Sequence, residues 1–182
     1  MRHEIAPVHC AATPLSFRRA VVSDLPALLL IESVSFPTDR MTARHFRYAI
    51  TQAKGACMVA VRDGQVVGYG QIAVHARTPI GRLSSFAVHS ECRRLGVARA
   101  LLAALEDEAA ALGCGAVRLE VRRDNTAALA LYLRTGYVQF GQYPDYYEDG
   151  MTALRLEKCL PETPANAAWN PFTTGYAHTC KR

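Results

Sequence analysis

Residues 93–102 read RRLGVARALL and come soon after the strand-like run FAVH at 86–89. A strand, a short loop with two arginines and a glycine, and a helix therefore succeed one another at this corner. Backbone N–H groups at a helix N-terminus lack partners and bind anions, and a glycine lets an anion approach the backbone closely. The pattern indicates a phosphate site, although these residues alone also fit an exposed loop with solvated arginines. Neither GxxxxGK[ST] nor GxGxxG occurs here.

Composition limits the class of protein. The chain has 182 residues and a net charge of +5, and half of its residues are apolar. One soluble domain with an anionic partner is expected, and nucleic acid, anionic lipid or a phosphorylated cofactor would fit. The aromatic residues are not interleaved with arginines as a nucleic-acid stacking groove requires, and no apolar run approaches 18 residues. We therefore predict neither a nucleic-acid nor a membrane partner.

The cysteines and the N-terminus bear on location. The six cysteines form no CxxC pair and no cluster with metal-ligand spacing, so no metal is predicted. The first residues contain no apolar core of seven or more residues, as a secretory signal would. Reduced thiols and a cytoplasmic location follow as expectations.

The order of elements predicts the fold class. Capping residues, apolar stripes and alternation give the order β-α-α-β-β-β-α-β-α-β-β. Residues 115–122 alternate cleanly, whereas the helix from Val97 carries apolar residues at every fourth position and stops at Gly113. We expect a mixed α/β sheet with helices on both faces. Residues 15–160 form this domain, 1–14 a flexible N-terminal arm and 161–182 a C-terminal tail or linker.

The motifs taken together resemble a known family. R-R-L-G-V-A fits the Q/R-x-x-G-x-G/A signature of the GNAT (Gcn5-related) N-acetyltransferases, with Ala98 where many members have glycine. The later stretch LEVRRDNTAALALYLRTGY at 119–137 closely resembles the ribosomal-protein-alanine N-acetyltransferases. The resemblance covers about 15–160. It implies the GNAT fold, a mixed and mostly antiparallel sheet that splays apart between its fourth and fifth strands.

The resemblance implies acetyl-CoA as the acetyl donor. The pyrophosphate would lie on the arginine-rich loop, and the pantetheine arm would pair with the splayed strand, much as a peptide adds to a sheet edge. Asn125, a good helix N-cap in its own right, would also contact this arm. The residues implied to hold the donor are Phe86, Ala87, Val88, Arg93, Arg94, Gly96, Val97, Ala98, Arg99 and Asn125.

The same resemblance implies two catalytic residues. Glu120 matches the family's general base, which acts directly or through water, and Tyr132 matches the acid that protonates the departing sulfur. From the residues alone, Glu120 could equally be a solvated strand residue paired with Arg118 or Arg122. Tyr132 could likewise be a packed helix aromatic.

Tyr146 and Tyr147 are candidates for the acceptor site, because a tyrosine-bearing loop lines the acceptor groove in the N-terminal acetyltransferases that the chain resembles. Exposed turn aromatics are the alternative. At pH 7.5 roughly a third of an α-amine but only about 0.1% of a lysine is neutral, which favours a protein or peptide N-terminus as acceptor. A small-molecule amine is the alternative acceptor, and a non-catalytic CoA-binding regulatory module is the alternative class of protein. A monomer or a homodimer is expected.

Overall fold

The computed structural model describes residues 13–36, 40–52, 54–75 and 78–167. Their strands and α-helices, eleven in all, follow the predicted order, and two short 3-10 helices lie at Val22–Asp24 and Ser90–Cys92. The strands are β1 (Ser16–Arg19), β2 (Gly55–Arg62), β3 (Gln65–Val74), β4 (Ile80–Val88), β5 (Ala116–Arg122), β6 (Val138–Tyr143) and β7 (Ala153–Cys159). The helices are α1 (Leu25–Ser35), α2 (Ala43–Thr51), α3 (Val97–Ala111) and α4 (Thr126–Arg134).

The strands form one seven-stranded sheet in the order β1-β2-β3-β4-β5-β7-β6. Every neighbouring pair is antiparallel except β4 and β5, which are parallel. A parallel pair needs a crossover connection, and α3 supplies it. The mixed, mostly antiparallel sheet expected from the sequence is confirmed.

Helices cover both faces of the sheet, as predicted. The apolar stripe of α3 is buried against β2 and β3, and Tyr132 of α4 belongs to the same hydrophobic core. On the opposite face α1 and α2 pack over Cys57, Val59 and Tyr69. Alternation along β5 sends Val117, Leu119 and Val121 into the α3 face. Glu120 must therefore lie on the α1 and α2 face.

The sheet opens between β4 and β5. These strands pair only from Ile80↔Ala116 to Leu83↔Leu119, after which β5 continues beside β7 alone. At the same point β4 has a bulge, because Ile72 of β3 pairs with Leu83 and Gln71 pairs with Ser85, which leaves Ser84 unmatched. A bulge bends its strand and ends regular pairing. The extra residue thus accounts for the predicted splay.

Beyond the bulge, β4 is fixed to α1 by a buried polar chain. The Ser85 hydroxyl lies 2.8 Å from the Tyr69 hydroxyl, which also contacts the Glu32 carboxylate. Glu32 accepts a further hydrogen bond of 2.6 Å from the Met41 backbone. Burial raises the pKa of Glu32, partly offset by this backbone bond. These hydrogen bonds tie the second half of β4 to β3 and α1.

Local capping explains the starts of α2 and α4. Thr42 caps α2 through its side chain, and Asn125 caps α4 by accepting from the Ala128 N–H at 3.1 Å. Gly136, with φ of +95°, follows the end of α4 as predicted. In the sequence, a glycine stop at Gly55 predicts that α2 runs to residue 54, but the helix ends at Thr51.

Two regions bear on the predicted domain limits and thiol state. Ordered contacts continue past residue 160, since the buried Asn166 side chain donates to the Cys114 carbonyl at 2.9 Å. Residues 1–12 and 168–182 lie outside the described residues, so the arm and tail stay predictions. Burial raises the pKa of the free thiols of Cys57 and Cys114, to about 12 and about 11 respectively. Cys92 and Cys159 are disulfide-bonded, so the expectation of reduced thiols is wrong for those two.

Candidate active site

The arginine-rich loop presents unpaired backbone donors. In the part of the chain that the structure describes, the six N–H groups of residues 94–99 donate to no acceptor, and the first bond of α3 runs from the Ala100 N–H to the Gly96 carbonyl. Arg94 and Gly96 both adopt positive φ, +63° and +77°. Successive N–H groups in such a turn point into one concave surface, which is the geometry of an anion nest.

Side chains of the loop add to this surface. Arg93, Arg94 and Arg99 are exposed. Arg93 donates to the Val88 carbonyl at 3.3 Å. A Cβ built at Gly96 would meet no heavy atom within 4 Å, so the space above the loop is open. Val97 is buried in the core and offers only its backbone to a ligand. The donor set and the space fit a pyrophosphate.

Among the described residues, no strand pairs with the second half of β4 on its β5 side, where the Val88 carbonyl accepts a hydrogen bond from Arg93. The His89 N–H donates to Val67 of β3, so alternation turns the polar backbone groups of Phe86 and Val88 toward the opening. Ala87 points its own backbone groups at β3, and its side chain is buried with α1 and α2. An extended amide-bearing chain could pair with Phe86 and Val88. Of the three residues predicted from the resemblance, Phe86 and Val88 therefore direct their backbone polar groups toward the opening, whereas Ala87 directs its own toward β3.

Glu120 lies beside the opening, between two arginines. Its Oε2 atom is 3.0 Å from both Nε and Nη2 of Arg82 on β4. Its Oε1 atom is 3.8 Å from Nε of Arg155 on β7. The Glu120 side chain is only 13% exposed. The alternative of a solvated glutamate paired with Arg118 or Arg122 is therefore wrong.

The two flanking arginines of β5 have other carboxylate partners. Arg118 pairs with the buried Glu157 at 2.6 Å, and its guanidinium lies over the Phe140 ring. Arg122 pairs with Asp124 and Asp149 at 3.1 and 2.7 Å. Glu120 is thus the carboxylate that faces the opening from β5.

Tyr132 lies on the opposite face from Glu120. It is 6% exposed and packs against Phe86 and Tyr137, with ring centroids 6.4 and 5.4 Å away. Its hydroxyl makes no hydrogen bond to any of the residues described. Burial, reinforced by the nearby Tyr147, raises the pKa of Tyr132, so the phenol keeps its proton at neutral pH. A protonated phenol with a free hydroxyl is the state that a proton donor needs.

The segment between β6 and β7 brings both predicted acceptor tyrosines to the site. The Tyr146 hydroxyl accepts a hydrogen bond of 3.2 Å from Arg82, the same guanidinium that holds Glu120. The Tyr146 ring stacks on Tyr143 and meets Tyr147 edge-on. Tyr147 lies under the Arg122 guanidinium at 4.8 Å. Neither ring is an isolated exposed aromatic.

The structure brings several of the predicted residues together around one opening. Glu120, Arg82 and Tyr146 form its wall on the α1 and α2 face. Phe86 and Tyr132 form its wall on the α3 face. Arg82 and Arg155 were missed by the sequence analysis, because their contact with Glu120 depends on which strands are neighbours.

Two kinds of feature are absent from the described part of the chain. It contains no group of three or more side chains suited to a metal ion. Nor does it contain a helix long and apolar enough to cross a membrane.

The fold, the nest and the opening define a class of protein. Residues 24–137 match the family model described as Acetyltransferase (GNAT) family, which is more than half of the chain. The chain belongs to this family, and it is an acyltransferase enzyme.

Individual relatives agree. The chain is 36% identical to an uncharacterised N-acetyltransferase of Methanocaldococcus jannaschii, over 79% of this chain and 91% of the relative. It is 31% identical to the N-alpha-acetyltransferase MAK3 of Arabidopsis thaliana, over 74% of this chain and 70% of the relative. Among solved structures, the ribosomal-protein-alanine N-acetyltransferase of Brucella melitensis has a TM-score of 0.70 at 26% identity, over 80% of this chain and 99% of that one.

Proposed function

We propose that this protein transfers an acetyl group from acetyl-CoA to the α-amine of a protein or peptide N-terminus. The observation that carries the proposal is the opening between β4 and β5, with the N–H groups of residues 94–99 at one end and Glu120 beside it. The relative MAK3 is named for transfer to an α-amine, which supports this acceptor class.

The donor side is built from backbone groups. The pyrophosphate would rest on the N–H groups of residues 94–99, and the exposed arginines would add charge-assisted hydrogen bonds. Phe86 and Val88 would pair with the amides of the pantetheine arm, which directs the thioester into the opening. Acetyl-CoA supplies an activated acetyl group whose bond to sulfur is the one that breaks. Asn125 would contact the same arm from the start of α4.

The acceptor side handles the proton of the amine. The amine nitrogen attacks the thioester carbonyl carbon from the face that carries Glu120, and its proton passes to this carboxylate directly or through one water. As the carbon–sulfur bond breaks, the Tyr132 phenol on the other face donates a hydrogen bond or proton to the leaving sulfur. The two groups lie on opposite faces of the sheet, which matches the opposite sides from which amine and donor would enter.

The acceptor would be held by the β6–β7 segment. Tyr146 and Tyr147 are both fixed by arginines, so the segment is pre-organised beside Glu120. Orienting an amine within reach of a thioester contributes to the rate only if the chain behind the amine is also gripped. A peptide offers such a chain.

The test is acetylation of a peptide array by the full chain with labelled acetyl-CoA. Each peptide is present with a free N-terminus and with an acetylated one, and Glu120→Gln serves as the inactive enzyme control. We expect label only on free N-termini. Equal labelling of blocked peptides would show lysine transfer, and labelling of small amines alone would favour the small-molecule alternative.

A further inference from the structure

Arg82 links the residues on the acceptor wall. Its guanidinium contacts the Glu120 carboxylate at 3.0 Å and the Tyr146 hydroxyl at 3.2 Å. Its side chain is half exposed, although Glu120 is not. Burial alone would lower the pKa of Arg82, but the charge of Glu120 and the hydrogen bonds more than compensate and raise it. Arg82 is therefore a permanent cation at the point where an amine must meet Glu120.

The charges around Glu120 do not balance. Arg82 from β4 and Arg155 from β7 share this one carboxylate, and no other carboxylate of the described residues pairs with either. On β5, Arg118 is matched by Glu157, whereas Arg122 pairs with both Asp124 and Asp149, which leaves one negative charge in excess at that end of the strand. Among the described residues, the other titratable group in contact with Arg82 is the Tyr146 phenol. In direct contact with Glu120, two guanidinium groups therefore meet one carboxylate.

We propose that Arg82 is a specificity-determining residue that excludes the protonated form of the acceptor amine. The inference rests on the proposed transfer to an amine and adds a reason for its choice of amine. An ammonium that approaches Glu120 must displace or adjoin a guanidinium, whereas a neutral amine meets no such repulsion. The enzyme would draw its substrate from the neutral fraction.

This exclusion amplifies the difference between kinds of amine. At pH 7.5 the neutral fraction is roughly a third for an α-amine and about 0.1% for lysine, a ratio of about 300. A site that admitted ammonium ions could bind lysine first and remove its proton afterwards, which would erase part of this ratio. The two guanidinium groups in contact with Glu120 would disfavour the binding of an ammonium ion there.

Two substitutions separate charge from geometry. Arg82→Gln removes the cation and leaves Arg155 and Glu120 balanced, and Arg82→Lys keeps the cation but loses the planar fork. CoA affinity, measured by calorimetry, checks that each variant retains its fold. Two quantities are then measured. The first is the pH dependence of peptide affinity in the presence of CoA. The second is the ratio of kcat/KM for a peptide with a free α-amine to kcat/KM for an N-terminally blocked peptide with a free lysine.

We expect wild type and Arg82→Lys to bind the α-amine peptide about 20-fold more tightly at pH 9.0 than at pH 6.5, which follows the neutral fraction of the amine. In Arg82→Gln the change should fall below about threefold, and the α-amine to lysine ratio should fall at least about tenfold. A merely structural role would lower kcat/KM for both peptides and leave the pH dependence unchanged.

The outcomes distinguish this inference from the proposed function. If wild type acetylates peptides and Arg82→Gln keeps the wild-type pH dependence and ratio, the inference is overturned and the proposed function stands. If wild type acetylates small amines but no peptide, the peptide acceptor is wrong, and the same ratio is measured with glycinamide and a lysine-like monoamine. If wild type acetylates no amine, both are overturned.

Discussion

Gly96 offers the sharpest test of the phosphate nest. Gly96→Asp places a carboxylate over the loop, and Gly64→Asp at the tip of the β2–β3 hairpin is its matched control. The two glycines have φ of +77° and +72°, and a Cβ at either would meet no heavy atom within 4 Å. The cost of a left-handed aspartate and the change in net charge are therefore the same in both variants.

Only at position 96 should the change affect binding. Two unit charges about 4 Å apart repel by about 1 kcal/mol in water and about 4 kcal/mol at the effective dielectric of a protein surface. Even the lower figure, doubled for the two charges of a pyrophosphate, predicts a loss of CoA affinity of about tenfold or more for Gly96→Asp. Gly64→Asp should bind CoA as wild type does.

The assay is calorimetric titration of CoA into both variants at two salt concentrations, with thermal melts to compare stability. The difference between the variants should shrink at high salt, because exposed charges are screened. Equal CoA affinity in the two variants, at equal melting temperature, would refute the nest as the pyrophosphate site.

Three further variants test the remaining roles. Glu120→Gln should lower turnover about 10²-fold or more at pH 7 with CoA affinity unchanged, and the loss should be smaller at high pH because the amine is then already neutral. Glu157→Gln, which also removes an ion pair on this face, is the control for lost stability. An unchanged rate for Glu120→Gln would exclude the role as base. Tyr132→Phe keeps the buried ring and should lower kcat about tenfold or more, whereas the neighbouring Tyr137→Phe should not. If Tyr132→Phe has the same kcat as wild type, the phenol takes no part in the mechanism. The double variant Tyr146→Ala, Tyr147→Ala should lower kcat/KM for a peptide by at least about tenfold, or about 1.4 kcal/mol, while the rate of acetyl-CoA hydrolysis by water stays unchanged. An equal loss of both rates would argue against an acceptor role.

Local sequence signals were sufficient for the elements. Thr42 and Asn125 are caps that act within three residues, and the stripe of α3 repeats within one helix. Such short-range rules need no knowledge of the tertiary fold, and they placed the helix starts correctly. They placed the end of α2 too late, because no strong stop lies between Thr51 and Gly55.

The surroundings of Glu120 could not be predicted in this way. Arg82 lies 38 residues before Glu120 and reaches it only because β4 and β5 are neighbours. Arg155 reaches it because β7 inserts between β5 and β6. Alternation alone showed that Glu120 faces away from the apolar residues of β5, but not which charges face it. A signal was present in hindsight, since Arg82 precedes the buried Leu83 and so must lie on the same face as Glu120.

The bulge at Ser84 also sets the phase of β4. Because this residue has no opposite number on β3, every later side chain changes face relative to an uninterrupted strand. Phe86 reaches the α3 face opposite Gly70, and Ala87 reaches the α1 face opposite Tyr69, only by virtue of that extra step. The length of the strand, more than the chemistry of residue 84, keeps the sheet open. Replacement of Ser84 should therefore be tolerated where its removal is not.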